Sequence, residues 1–355
     1  MRSAPVLHHY AEPPPGLLEV PATALRELLG GPSLIEIAGR RQPPLYLSVL
    51  LHGNETTGFE ALQQVLRRHR NGTLPRSLVV FVGNVEAAAF GLRRLDGQPD
   101  YNRIWAGGED ADTPEARMAA EIVARMGRRG LFASIDIHNN SGRNPHYGCI
   151  NRLDPRYVGL ASLFSRTMVY FRRPASVQSI AFAELCPAVT VECGRPGQAA
   201  GIEHASDFIE SALHLADVPD RPASDDIGLF HTVAVVRVPE TQPFGFGGQG
   251  EGIRFIEDLD HLNFQELPAG TLLGYWGGQA VPLLAEDEGG RDVSDHYFAV
   301  RNGGLLAKRR LMLSMLTLDT RVIRQDCLCY VMERMELPEL KDGASLEPDA
   351  RSGGA

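Results

Sequence analysis

LYLSVLLHGNETTGFEALQQVLRRHR, residues 45–70, decides how this chain is read. Leu45 to Leu51 form a nearly unbroken apolar run, as in a strand covered on both faces. From Gly58 to Arg70, Phe59, Leu62, Val65 and Leu66 recur at helical spacing. Between strand and helix lies a polar turn, His52-Gly53-Asn54-Glu55, with a histidine and a glutamate three positions apart. Imidazole and carboxylate are the ligand types of a catalytic zinc, which takes three protein ligands and a water. Spacing alone is weak, because His9 and Glu12 repeat it near the N-terminus. Position separates the pairs: only His52 and Glu55 follow a strand end, where α/β sheets place their sites. A capped turn remains the alternative reading.

Outward from this stretch the same alternation continues. Ser77 to Val82 reads as a second buried strand and Thr113 to Met126 as a helix with Pro114 in its first turn. Leu131 to Ile137 and Ala188 to Val191 read as strands, and Glu203 to Leu215 as a closing helix. Buried strands separated by helices predict an α/β domain over residues 32–220, its sheet covered on both faces. Residues 1–31 are proline-rich and are expected to form an unstructured N-terminal arm. VPDRPASDDIG, residues 218–228, has the chemistry of a linker. Short apolar runs follow at Thr232 to Val238, Thr271 to Trp276, Tyr297 to Val300, Leu311 to Leu316 and Cys327 to Met332. They predict a smaller, β-rich domain over residues 228–338, and residues 341–355 read as a disordered tail.

Two more strand ends carry chemistry. In SIDIHNN, residues 134–140, Asp136 and His138 point to one side of their strand. They read either as a hydrogen-bonded pair or as a third ligand with a supporting carboxylate. In AVTVECG, residues 188–194, Glu192 closes an apolar run, either as a strand cap or as a base that deprotonates water. Ahead of both, between Glu55 and Asp136, LRRLDGQPDYNRIW, residues 92–105, gathers Arg93, Arg94, Asp100, Asn102 and Arg103. Such a loop is solvated surface unless it flanks a site, where arginine's fork suits a carboxylate.

Composition excludes other classes. The chain has 355 residues and a net charge of −9, the wrong sign for a phosphate-backbone binder. At 43% hydrophobic and 22% charged it is globular rather than disordered. No apolar stretch approaches the roughly 18 residues of a membrane span, and no signal peptide is expected. Five cysteines, two of them alternating at Cys327 and Cys329, read as a reduced, buried set in a cytoplasmic protein.

HGNE, then Asn84 and DYNR, then DIHN, then VTVECG, in that order, resemble the succinylglutamate desuccinylase and aspartoacylase family. The resemblance runs from about residue 45 to 215. It implies a three-layer α/β/α domain like that of zinc carboxypeptidases, with a mixed sheet, followed by a smaller β-rich domain. It implies one zinc per chain, held by His52, Glu55 and His138, with Glu192 as the catalytic glutamate. Asn102 and Arg103 match the pair that holds a substrate carboxylate, and Asn139, grouped with them as substrate-binding, matches an asparagine after the ligand histidine. Arg93 matches the arginine that polarises the scissile carbonyl, with Arg94 as the alternative. Gln178 departs from the pattern, since aspartoacylase has an arginine before the Ser-Ile-Ala that here is 179–181. N-acetylaspartate is therefore in doubt, unless Arg143, Arg172 or Arg173 compensates. The expected function is hydrolysis of the amide of an N-acyl amino acid. A zinc carboxypeptidase acting on a small peptide and a non-catalytic zinc-binding protein are the alternatives. The expected partner is the small-molecule substrate, with neither nucleic acid nor membrane; a homo-oligomer is left open. Tyr147 and Tyr170 are candidate pocket residues, and His204 is read as a packing residue.

Overall fold

The computed structural model describes residues 6–105, 112–224, 226–248 and 251–336. The chain divides into two compact units, one running to Asn139 and again over His146–Leu229, the other made of Asn140–Pro145 and Phe230–Met335. The expected tail, residues 341–355, lies outside the described residues.

The first unit is built on β1 (His8–Tyr10), β2 (Ser33–Ile37), β3 (Leu45–Val49), β4 (Leu78–Val82), β5 (Ala133–His138), β6 (Tyr147–Ile150), β7 (Thr167–Tyr170) and β8 (Ala188–Glu192). Their order across the sheet is β1-β2-β4-β3-β5-β8-β6-β7. The inner strands β4, β3, β5 and β8 are parallel, whereas β2 joins β4 and β6 joins β8 antiparallel. The sheet is thus mixed. The inner strands are buried along their whole length, which explains their unbroken apolar sequence. The helices are α1 (Leu25–Leu29), α2 (Thr57–Arg68), α3 (Val85–Ala88), α4 (Pro114–Arg129), α5 (Pro155–Ser162), α6 (Gln178–Ala183) and α7 (Ala199–His214). Helix α4 starts where its sequence says it should: the Thr113 side chain accepts from Ala116 N at 3.1 Å and Pro114 occupies the first turn.

One expectation fails. The N-terminal arm is not unstructured over its described residues: β1 runs parallel to β2, and Leu17, Leu25 and Leu29 are buried. Gln63 on α2 donates to the Leu17 and Val20 carbonyls at 2.9 and 2.8 Å. Prolines hide such a segment's periodicity, but its leucines still gain by leaving water.

The second unit contains β9 (Gly228–Arg237), β10 (Phe244–Phe246), β11 (Ile253–Phe255), β12 (Glu266–Leu267), β13 (Leu272–Tyr275), β14 (Leu284–Asp287), β15 (Phe298–Arg301), β16 (Gly304–Ala307), β17 (Leu311–Ser314) and β18 (Cys329–Met335). One sheet runs β10-β11-β13-β16-β15; in the other, β14 pairs β9, followed by β18, β17 and β12. Val236, Ile253, Phe255, Phe298, Leu305 and Val331 are core residues. Among the described residues no helix is long and apolar enough to cross a membrane, and none of the five cysteines, all buried, is in a disulfide.

Candidate metal centre

Strand ends bring the candidate residues together. After β3 the chain reverses at Leu50, whose φ of 57° is rare for a branched residue and stores local strain. Two backbone bonds hold the reversal: Gly83 N to Val49 O at 3.0 Å and Asn84 N to Leu50 O at 2.6 Å. The Gly53 backbone then packs against α3 so closely that a Cβ there would lie 2.2 Å from Ala88 N. Gly58 opens α2 against β5, where a Cβ would meet the Ile137 Cβ at 2.9 Å. These two glycines set His52 and Glu55 beside the end of β5. There His138 pairs in register with Glu192 on β8, which pairs in turn with Tyr147 on β6. Neighbours in register share a face, so the three form one row.

Glu55 is the hub. His52 Nδ1 lies 2.8 Å from Glu55 Oε1, and His138 Nδ1 lies 2.8 Å from Glu55 Oε2. The Asn139 backbone N–H also donates to Glu55 Oε2 at 3.1 Å. Each ring turns its other nitrogen to a second carboxylate: His52 Nε2 to Asp100 at 3.0 Å, His138 Nε2 to Asp136 at 2.9 Å. Asp136 is fixed by Ser48 Oγ at 2.6 Å. His52, Glu55 and His138 are buried, and one ligand atom from each lies within 4.8 Å of the others. Two imidazoles and a carboxylate, each ring oriented by a further carboxylate, are donor types that a divalent transition ion accepts, with the support such ligands usually have.

Electrostatics fit a cation there. Burial and Arg93 pull His52 down, but Glu55 and Asp100 outweigh them and raise its pKa. Burial opposes His138 too, yet Asp136 and Glu55 raise it well above 6.5. Glu55 is driven far below the usual carboxylate range by the two histidines despite its burial. Asp100 is likewise lowered by Arg93 and His52 against burial. Glu192 behaves oppositely: burial pushes it up to about 7, against the pull of His138.

The loop residues are brought to the same place with distinct tasks. Arg93 is buried, grips Asp100 Oδ2 through Nε and Nη2 at 3.2 and 3.0 Å, and lies 3.8 Å from Glu55. Arg94 turns away to the Gln98 carbonyl at 2.7 Å, so of the two arginines Arg93 is the one facing the centre. Asn102 Nδ2 lies 3.4 Å from His138 Nε2, while its Oδ1 accepts from Gln178 N at 3.0 Å. Arg103 is partly exposed and donates to the Asn102 carbonyl at 2.9 Å. Asn139 follows His138 at the end of β5. Its amide is engaged at both ends, by Thr57 N at 3.3 Å and Gly194 O at 2.8 Å, which makes it a brace between α2 and the turn after β8. Gln178 also faces elsewhere, donating to Ser134 Oγ at 3.0 Å inside the sheet. Arg172 and Arg173 are exposed; Tyr147 and Tyr170 are buried. His204 stacks on His146 and bonds the Phe164 carbonyl at 2.7 Å, a packing residue as read. Asp100 was noted without a role; its ties to both His52 and Arg93 need a fold of the loop that spacing does not reveal.

Comparison with known proteins places this geometry. Residues 41–206 match the model of the succinylglutamate desuccinylase/aspartoacylase catalytic domain. A succinylglutamate desuccinylase from Burkholderia thailandensis is 34% identical over 142 residues, covering 36% of this chain and 40% of that protein. One from Pseudomonas fluorescens is 42% identical over 81 residues, covering 22% and 24%. The matched stretch thus spans well under half the length of these relatives. In fold, the chain is similar to a succinylglutamate desuccinylase from Chromobacterium violaceum, with a TM-score of 0.56 at 18% identity over 86% of this chain and 89% of that one. Murine aminoacylase 3 gives a TM-score of 0.52 at 14% identity over 83% and 97%. The matched span, the order of the strand-end motifs and the mixed sheet all agree in making residues 41–206 of this chain similar to the catalytic domain of the succinylglutamate desuccinylase/aspartoacylase family.

Proposed function

We propose that the chain is a zinc-dependent deacylase that hydrolyses the amide bond of an N-acyl amino acid or a close small-molecule relative. The convergence of His52, Glu55 and His138 on one point, with Glu192 in register beside His138, carries this reading. The three ligands would hold one zinc ion, which when bound supplies a Lewis acid that polarises the amide carbonyl and acidifies water. Glu192 takes a proton from the attacking water and passes it to the leaving amine. Arg93 steadies the negative charge that develops on the carbonyl oxygen. Asn102, through Nδ2, and Arg103 hold the substrate carboxylate and so orient the amide. Asp100 and Asp136 keep the imidazoles turned inward, and Asn139 holds Glu55 through its backbone N–H.

A screen of zinc-loaded protein against acetyl, succinyl and formyl amino acids, read by mass spectrometry, tests the proposal. Release of a free amino acid from at least one is expected. Trimming of small peptides with no deacylation would instead mark a carboxypeptidase, and binding without turnover a binding protein.

A further inference from the structure

A second group of ligand-type side chains stands at the other end of α2. His69 caps that helix, and Glu210 and His214 lie one turn apart in the last part of α7. The i, i+4 spacing puts the α7 pair on one face. His69 Nε2 lies 2.7 Å and His214 Nε2 3.1 Å from the same oxygen, Glu210 Oε1. One ligand atom from each of the three residues lies within 4.8 Å of the others. Glu210 Oε2 is buried and, among the described residues, has no hydrogen-bond partner. Arg68 is paired with Asp207 at 3.1 Å rather than with Glu210. Two imidazole nitrogens thus crowd one carboxylate whose second oxygen is unsatisfied, an arrangement that a cation would complete.

We propose that His69, Glu210 and His214 form a second metal site, which takes zinc or a similar divalent transition ion and ties the end of α2 to the end of α7. Two nitrogens and a carboxylate suit such ions; calcium and magnesium prefer all-oxygen shells. His214 is largely exposed, so an ion held here would exchange with solvent faster than one in a buried centre. Helix α2 spans Thr57–Arg68, about 18 Å at 1.5 Å per residue. The site is therefore separate from the strand-end cluster, although the same helix begins beside Glu55.

The test uses the full chain, stripped by chelator and dialysed against zinc, with bound zinc counted per chain. The wild type should hold one more zinc than His69→Ala or His214→Ala, and His138→Ala should still fill the outer site. Added zinc should also slow hydrogen exchange at the ends of α2 and α7 in the wild type and not in His69→Ala, whose melting temperature without metal should match the wild type. Magnesium should reproduce neither effect. Equal zinc counts and equal half-saturation in the wild type and both outer-site variants would overturn the proposal. So would a shift of half-saturation below about 10-fold, the low end of what loss of even a supporting residue costs a metal site.

Discussion

Both nitrogens of His52 and of His138 face carboxylates, which sets the sign of the centre's pH response. Raised histidines contribute stability that is full below their usual 6.5 and is lost as pH climbs through the raised values. Lowered Glu55 and Asp100 contribute stability that is present above the usual carboxylate range and is lost only in strong acid. On the proposed function, zinc displaces a proton from each charged ring, so its apparent affinity should rise with pH and level off above the raised histidine values. Titration calorimetry in buffers of different ionisation enthalpy should therefore find protons released per zinc near pH 6.5 and fewer at higher pH. A proton count that stays at zero across this range would mean that both rings are already neutral before zinc arrives, against their raised pKa values. Glu192→Gln should keep its zinc and lose activity by at least about 100-fold, the scale of general acid–base catalysis; near-normal turnover would reduce Glu192 to a strand cap. Asp136→Asn should weaken zinc by about 10- to 100-fold, because an amide orients the His138 ring less well. The clustered residues were legible as histidines and acids at strand ends. The brace made by Asn139 and the inward turn of Gln178 were not, since both depend on backbone atoms far away in sequence.

At the scale of elements, the site depends on how closely two backbones approach. Gly53→Ala would drive a Cβ into the α3 backbone near Ala88 N and push the His52 turn off the sheet. Overpacking of this kind costs about 1–3 kcal/mol. Thermal unfolding should show the loss, and zinc affinity should fall with it; an unchanged melting temperature would mean that the turn can shift freely. The inner strands were readable because burial on both faces writes them as continuous apolar runs. Strand β6 was missed because Tyr147-Gly148-Cys149-Ile150 is four residues long and contains a glycine. Strand β1 was missed because its partner, β2, lies beyond a proline-rich segment and nothing local signals the pairing. Helix α5 follows its Asp154 cap and Pro155, a start signal present in the sequence but passed over.

For the whole molecule, charge and substrate must agree. The chain carries −9 overall, and Gln178, where aspartoacylase has an arginine, spends its side chain on Ser134. An N-acetyl neutral or basic amino acid should therefore give a higher kcat/KM than N-acetylaspartate at equal zinc loading. A ratio well below one would mean that another arginine holds the second carboxylate. The change of character near residue 228 was visible in composition, and the longer segment of the second unit starts at Phe230. Its assignment of residues 140–145, inserted from the first half of the chain, was not visible, because it depends on contacts such as Arg143 N to Asp260 at 3.1 Å. On the proposed function, the strand-end cluster binds the metal on which hydrolysis depends. The most direct test is the rate of N-acyl amino acid hydrolysis as zinc is added back to chelator-stripped protein. Activity should rise from near zero and saturate in the wild type, while His138→Ala stays flat. Hydrolysis that persists without zinc, or a His138→Ala titration that follows the wild type, would contradict the account.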